Sequence, residues 1–242
     1  MRIDKWLSNT GYGSRKEVKQ LLKSGAVTLN GSIIKDPKTQ ADPDRDHVLV
    51  HGEEVVYQEF IYLMMNKPQG VISATEDSRH ETVIDLLHLE AQTFEPFPVG
   101  RLDKDTEGLL ILTNDGQLAH TLLSPKKHVP KTYFAKINGS IPDDTNERFR
   151  EGVILEDGYK TQPAYLKVIH NSDKESEIEL TITEGKFHQV KRMFEAVGRR
   201  VVYLQRIQMG KLKLDESLEL GTYRELTEDE LSLLSLKEDV FE

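Results

Sequence analysis

Apolar residues recur at helical spacing from the first turn of the chain, at Ile3, Trp6 and Leu7, until Gly11 and Gly13 interrupt the pattern. Ser14 then stands where its hydroxyl can cap a second helix running through Leu22. In that helix Val18, Leu21 and Leu22 share one side, while Arg15, Lys16, Lys19 and Lys23 populate the other. The pattern predicts a buried stripe with cations facing outward. Two short apolar runs, Ala26 to Leu29 and Ser32 to Ile34, flank Asn30-Gly31, and a type I′ hairpin follows because both turn residues must adopt positive φ. Residues 35–46, rich in Asp and Pro, read as loop, and a boundary falls near Tyr57.

Beyond that boundary the pattern changes to strand-like runs at 61–65, 109–113, 132–137, 164–170, 177–183 and 201–208. Helical patterns cover 81–88, 116–123, 145–150, 188–197 and 227–234, the last opening with the capping box Thr227-Glu228-Asp229-Glu230. Strands outnumber helices and do not alternate with them. This predicts an α+β chain: a small module over residues 1–58, then a domain over 59–242 built on a mixed, mostly antiparallel sheet with flanking helices.

Composition changes this picture only by exclusion. Hydrophobic residues make up 37% and charged residues 30%, a globular balance. The longest apolar run, Phe60 to Met65, is too short to cross a bilayer, no signal-peptide pattern opens the chain, and a cytoplasmic location without membrane contact is expected. There is no cysteine, hence no disulfide, thiolate nucleophile or cysteine metal site. The net charge of -9 conceals two basic islands. Residues 1–40 carry eight Lys and Arg against three acids, and residues 185–206 carry six against one. Residues 207–242 carry four against ten. Such islands suit local contacts with phosphates, because binding energy follows local charge rather than the whole-chain sum.

The most unusual stretch for chemistry is Gly100-Arg101-Leu102-Asp103-Lys104-Asp105-Thr106-Glu107-Gly108. As a calcium loop it fails, because Asn114 stands where a bidentate carboxylate is required and flanking helices are missing. A phosphatase-type aspartate would need an apolar strand directly before Asp103, and Gly100-Arg101 interrupts it. An aspartate in such a loop is ordinarily a turn residue. The alternative is a nucleophile toward a sugar carbon, which must stay ionised in a water-poor cleft and so needs a cation beside it. Arg101 is adjacent, and Lys191 lies in the second island. There, Val190, Met193, Phe194 and Val197 form an apolar stripe that turns His188, Lys191, Arg192 and Glu195 the other way. His188 has no metal partner at ligand spacing. Tyr133, in Lys131-Thr132-Tyr133-Phe134, fits either a core position or a stacking surface for a base.

Taken in order, these segments resemble the RsuA-type branch of the pseudouridine synthases, with an S4-like RNA-binding module in front. The resemblance spans nearly the whole chain. It rests on Arg2-Ile3-Asp4-Lys5, Ser14-Arg15-Lys16, Asn30-Gly31, Asn66-Lys67-Pro68-Gln69-Gly70, Gly100-Arg101-Leu102-Asp103, Thr113-Asn114-Asp115-Gly116 and Lys131-Thr132-Tyr133. It continues through Glu184-Gly185, His188 to Phe194, and Tyr223-Arg224-Glu225-Leu226-Thr227. The resemblance implies that Asp103 is the catalytic aspartate, Tyr133 the tyrosine packing on the target uracil and Lys191 the basic partner of the aspartate. It implies RNA contacts from Arg101, His188, Gln189 and Arg192, and from Arg15, Lys16, Lys19 and Lys23 in the module. It further implies no cofactor and no metal, a monomer, and ribosomal RNA or a pre-ribosomal particle as partner. The His188-Gln189 pair, the compact start and the acidic tail lean toward the small-subunit type that acts on uridine 516 of 16S rRNA. The related large-subunit (23S) type and a non-catalytic ribosome-assembly factor with the same fold remain the competing expectations.

Overall fold

The computed structural model describes residues 1–235; the end of the acidic tail, 236–242, lies outside the described residues. Two compact units emerge, residues 1–61 together with 88–95, and residues 62–87 together with 96 onward. The return of 88–95 to the first unit makes the second discontinuous, which a division at residue 58 does not anticipate.

In the first unit, helices α1 (Ile3–Asn9) and α2 (Arg15–Ser24) precede a four-stranded antiparallel sheet. Its strands are β1 (Val27–Leu29), β2 (Ser32–Ile33), β3 (Val48–Val50) and β4 (Glu53–Glu54), in the order β2-β1-β3-β4. Ser14 and Glu17 close the capping box at the start of α2. Val18 and Leu22 are buried with Ile3, Trp6, Leu7, Val27 and Val48, so Arg15, Lys16, Lys19 and Lys23 are left exposed. Asn30 and Gly31 take φ of 50° and 81°, the paired positive values a type I′ turn requires. The expected hairpin is only half of this sheet. β3 and β4 went unread because three apolar residues and two glutamates carry too little alternation to stand out.

The second unit is a nine-stranded mixed sheet. Its strands are β5 (Tyr62–Lys67), β6 (Phe97–Pro98), β7 (Glu107–Thr113), β8 (Lys131–Asn138), β9 (Tyr165–His170), β10 (Glu175–Ile182), β11 (Arg200–Met209), β12 (Leu212–Lys213) and β13 (Tyr223–Glu225). The order is β13-β5-β7-β11-β8-β10-β9, with β6 beside β7 and β12 beside β11. Pairing is antiparallel except between β7 and β11, which run parallel. At that junction Gly108 (φ 102°) lies against β11, and a Cβ there would sit 2.3 Å from the Arg206 carbonyl oxygen. No other residue type fits. The short helix α3 (Leu89–Gln92) belongs to the first unit, while α4 (Gly116–Leu123), α5 (Thr145–Glu151), α6 (Gln189–Ala196) and α7 (Glu228–Ser235) belong to the second. Met64, Leu109 and Ile111 pack with Ala119 and Leu122 of α4 and Leu234 of α7. Phe149 of α5 and Phe194 of α6 meet edge to face at 5.2 Å. Among the described residues no helix is long and apolar enough to cross a membrane.

The helix expected over 81–88 does not form. The Asp85 carboxylate accepts from both the backbone N–H and the hydroxyl of Thr82 (2.8 and 2.9 Å), closing a turn in place of a helical start. Val83 and Leu87 are still buried, so the apolar spacing was real while its period was not.

Arg224, on β13, donates to Asp215 (2.8 Å) and bidentately to Glu230 (2.8 and 2.7 Å). The Arg224 bonds pull the Glu230 carboxyl down to about 2, and bonds from Ser217 and then Arg224 do the same for Asp215. Both folded values lie below the unfolded ones. Their stabilisation is therefore full above the ordinary carboxylate range and is lost as pH falls toward 2. Arg224→Met is expected to move the midpoint of acid unfolding, followed by circular dichroism, to higher pH.

Candidate active site

Asp103 lies in the loop entering β7, and the backbone around it is held at several points. The Ser73 hydroxyl donates to the Leu102 carbonyl and accepts from the Leu102 N–H, both at 3.0 Å. The N–H of Gly70 reaches the Lys104 carbonyl at 2.8 Å. Beneath the loop, the wholly buried Lys67 donates its ammonium to the carbonyls of Pro68 (2.9 Å), Asp103 (3.0 Å) and Thr106 (2.9 Å). These bonds involve main-chain atoms only, so the Asp103 carboxylate stays available to the cleft.

That carboxylate meets α6. Lys191 Nζ is 3.1 Å from Asp103 Oδ2 and 2.6 Å from Asp105 Oδ1, and His188 Nε2 is 3.6 Å from Asp103 Oδ1. The cation is thus shared by two carboxylates. Burial opposes the charge on Lys191, but bonds to Asp105 and Asp103 outweigh it and raise the ammonium above its ordinary value. Burial likewise works against the charge on Asp105, and the bond from Lys191 overcomes it, holding that carboxyl below the usual range. The Asp103 side chain, which lines a cleft, is 28% exposed, and its partner Lys191 is 18% exposed. Tyr133, mostly buried on β8, lines the same cleft as Arg101, Asp103 and His188, with apolar walls from Leu102, Ile182, Val190 and Leu204. A carboxylate beside a cation, in one cleft with a phenol ring and apolar walls, suits a planar ligand attached to a sugar.

Other residues expected at the RNA differ in placement. Arg101 is exposed at the cleft. Gln189 is buried: its amide donates to Glu184 Oε1 (2.6 Å) and accepts from the Lys186 N–H (2.8 Å), so it shapes the loop before α6 rather than reaching outward. Arg192 is engaged by Asp157 at 2.6 Å. Arg206, counted in the second basic island, is buried and donates Nε to the Leu109 carbonyl at 2.8 Å. The island therefore offers less free charge than its sum suggests, because local counting cannot see cations that bond to main chain or to distant acids.

Asp105 and Lys67 are the residues that sequence reading missed. The signal for Lys67 was its place in Asn66-Lys67-Pro68-Gln69-Gly70, a segment that carries the resemblance but to which no role was attached. Burial pulls the Lys67 ammonium down to about 8, against the opposing pull of Asp103, Asp105 and Glu107. The folded value lies below the unfolded one, so this residue makes stability rise with pH between about 8 and the ordinary lysine value. Lys67→Met removes that rise and withdraws the ammonium from three carbonyls, of which that of Asp103 still accepts from the Thr106 N–H at 3.0 Å. It is expected to lower unfolding free energy by about 3 kcal/mol at neutral pH, checked by urea denaturation across pH 7 to 10.

Three comparisons bear on this geometry. Residues 61–196 match the family described as RNA pseudouridylate synthase, and residues 1–46 match the S4 domain. The chain is 60% identical over 235 residues to "Uncharacterized RNA pseudouridine synthase YtzG" of Bacillus subtilis (strain 168), covering 97% of this chain and 98% of that protein. It is 40% identical over 236 residues to "Ribosomal small subunit pseudouridine synthase A" of Yersinia pestis, covering 96% and 97%. A solved structure titled "Crystal structure of pseudouridylate synthase" superposes with a TM-score of 0.68 at 35% identity, covering 97% of this chain and 99% of that one.

Proposed function

Because the chain belongs to the RsuA-type branch of the RNA pseudouridylate synthase family and is an RNA pseudouridine synthase, we propose that it converts one uridine of small-subunit ribosomal RNA, the 16S position-516 type, through Asp103. The observation that carries this reading is the Asp103 carboxylate, 3.1 Å from Lys191 and in one cleft with Tyr133.

The reaction breaks the C1′–N1 bond of the nucleoside, turns the uracil, joins C1′ to C5 and moves the C5 proton away while N1 gains one. Asp103 supplies the anion at the sugar, either by attack on C1′ or by taking a proton from C2′. Lys191 keeps that anion paired when RNA covers the cleft. Tyr133 and the apolar walls retain the detached uracil, since its escape would turn isomerisation into base loss. The target nucleotide must first leave its stack, at a cost of a few kcal/mol that contacts in the cleft offset. Exposed Arg15, Lys16, Lys19 and Lys23 on α2 supply phosphate contacts, with Arg101 at the cleft. The protein acts in the cytoplasm as a monomer, on free ribosomal RNA or a pre-ribosomal particle, and needs no cofactor or metal.

Pseudouridine mapping in ribosomal RNA from cells with and without the protein tests this. One small-subunit pseudouridine is expected to vanish on deletion and return with the wild-type chain. Loss of a large-subunit site would transfer the assignment to the related type. No change in either RNA would leave a non-catalytic assembly factor.

A further inference from the structure

Phe187 has no part in the reading above, yet it is the most exposed Phe, Tyr or Trp side chain among the described residues, at 72%. Its ring stacks on His188 with centroids 3.7 Å apart and planes 18° from parallel. His188 in turn lies 3.6 Å from Asp103. A line of three groups thus runs from the cleft outward: carboxylate, imidazole, phenyl. Lys186 and His188, on either side of Phe187 in sequence, both line the cleft, which puts the phenyl at its rim.

The exposure is not that of a loose loop. The Gln189 side chain accepts from the Lys186 N–H, the Gln189 N–H reaches the Lys186 carbonyl at 3.2 Å, and Lys186 Nζ sits 4.9 Å from the centre of the Tyr159 ring. Arg192, tied to Asp157, also reaches the Phe187 carbonyl at 3.5 Å. His188 is held at φ 49°, a left-handed conformation that is uncommon for a non-glycine residue. A fixed loop therefore presents an apolar ring to solvent, backed by a second ring. A flat aromatic partner fits that face.

We propose, on the strength of the pseudouridine synthase reading, that Phe187 and His188 form a stacking platform for the base adjoining the target uridine. Flipping a nucleotide strips its neighbour of one stacking face. The free face of Phe187 replaces it, as aromatic side chains do for unstacked bases in other RNA complexes. The platform thereby holds the RNA open at the cleft and confers a preference for bases that stack strongly beside the target.

The test uses a small-subunit rRNA fragment carrying 2-aminopurine immediately 5′ or 3′ of the converted uridine, with fluorescence and turnover measured on the same RNA. Wild-type protein is expected to quench the probe at one of the two positions. Phe187→Ala should abolish the quenching and raise KM about tenfold, with a smaller effect on kcat, while Phe187→Trp restores both. Retained thermal stability of Phe187→Ala, expected for so exposed a side chain, separates this from misfolding. Absence of quenching at both positions, or identical quenching and KM in Phe187→Ala, overturns the platform while leaving the enzyme assignment intact. Failure of the wild-type chain to form pseudouridine overturns the reading on which the platform rests.

Discussion

Asp103→Asn is expected to reduce pseudouridine formation by at least about a thousandfold while leaving the protein folded and able to hold RNA. The amide preserves the shape of the carboxyl and removes only the anion. Nothing that positions the loop depends on that anion, because Ser73 and Lys67 bind main-chain atoms of Leu102, Asp103 and Thr106. Lys191 keeps its shorter contact with Asp105 at 2.6 Å. Unfolding free energy should therefore change by less than about 1 kcal/mol, and RNA affinity should hold or rise, since a negative charge leaves a phosphate-binding cleft. Single-turnover conversion on a ribosomal RNA fragment, with binding by filter retention, measures both. Turnover within tenfold of wild type would remove Asp103 from the chemistry.

Lys191→Met is expected to cost about a hundredfold in kcat. In the wild type one ammonium serves two carboxylates whose oxygens lie less than about 6 Å apart, as its contacts of 3.1 and 2.6 Å require. Without it, two like charges face each other beside the cleft, a repulsion of about 3 kcal/mol at an effective dielectric constant near 20. Asp105, whose carboxyl the bond from Lys191 holds below the usual range, then binds its proton at higher pH than before. The acid limb of the pH–rate profile should accordingly move upward, a change that a purely structural role for Lys191 would not produce. Lys191→Arg retains the charge and should recover part of the rate, limited by the altered donor geometry. A hundredfold loss with an unmoved acid limb would mean that Lys191 acts by shape and not by charge.

The elements with strong local signals were readable without coordinates. The stripe of Val18 and Leu22, the Ser14 cap and the Asn30-Gly31 turn each determine their conformation through groups within four residues of one another. α4 begins where its pattern says, because Asp115 caps its first turn by accepting from the N–H groups of Gln117 and Leu118. Residues 81–88 show the limit of the same reasoning: their apolar spacing suited a helix, and one Thr82–Asp85 contact chose a turn.

For the site, the family resemblance carried by an ordered series of short motifs implied roles for Asp103, Tyr133 and Lys191 that their local sequence left open. Their meeting was a matter of tertiary structure. Lys191 is 88 positions from Asp103 along the chain and reaches it only because α6 is carried to the loop that enters β7. The same long-range packing withdrew Arg206 and Gln189 from the solvent, paired Arg192 with Asp157, engaged Asp105 beside Asp103, and buried Lys67 under the loop. Local sequence records which residues favour a helix, a strand or a turn, because those preferences arise from near neighbours. Whether a charged side chain meets solvent, an opposite charge or a distant carbonyl depends on which segments fold against it, and only the assembled sheet and its helices decide that.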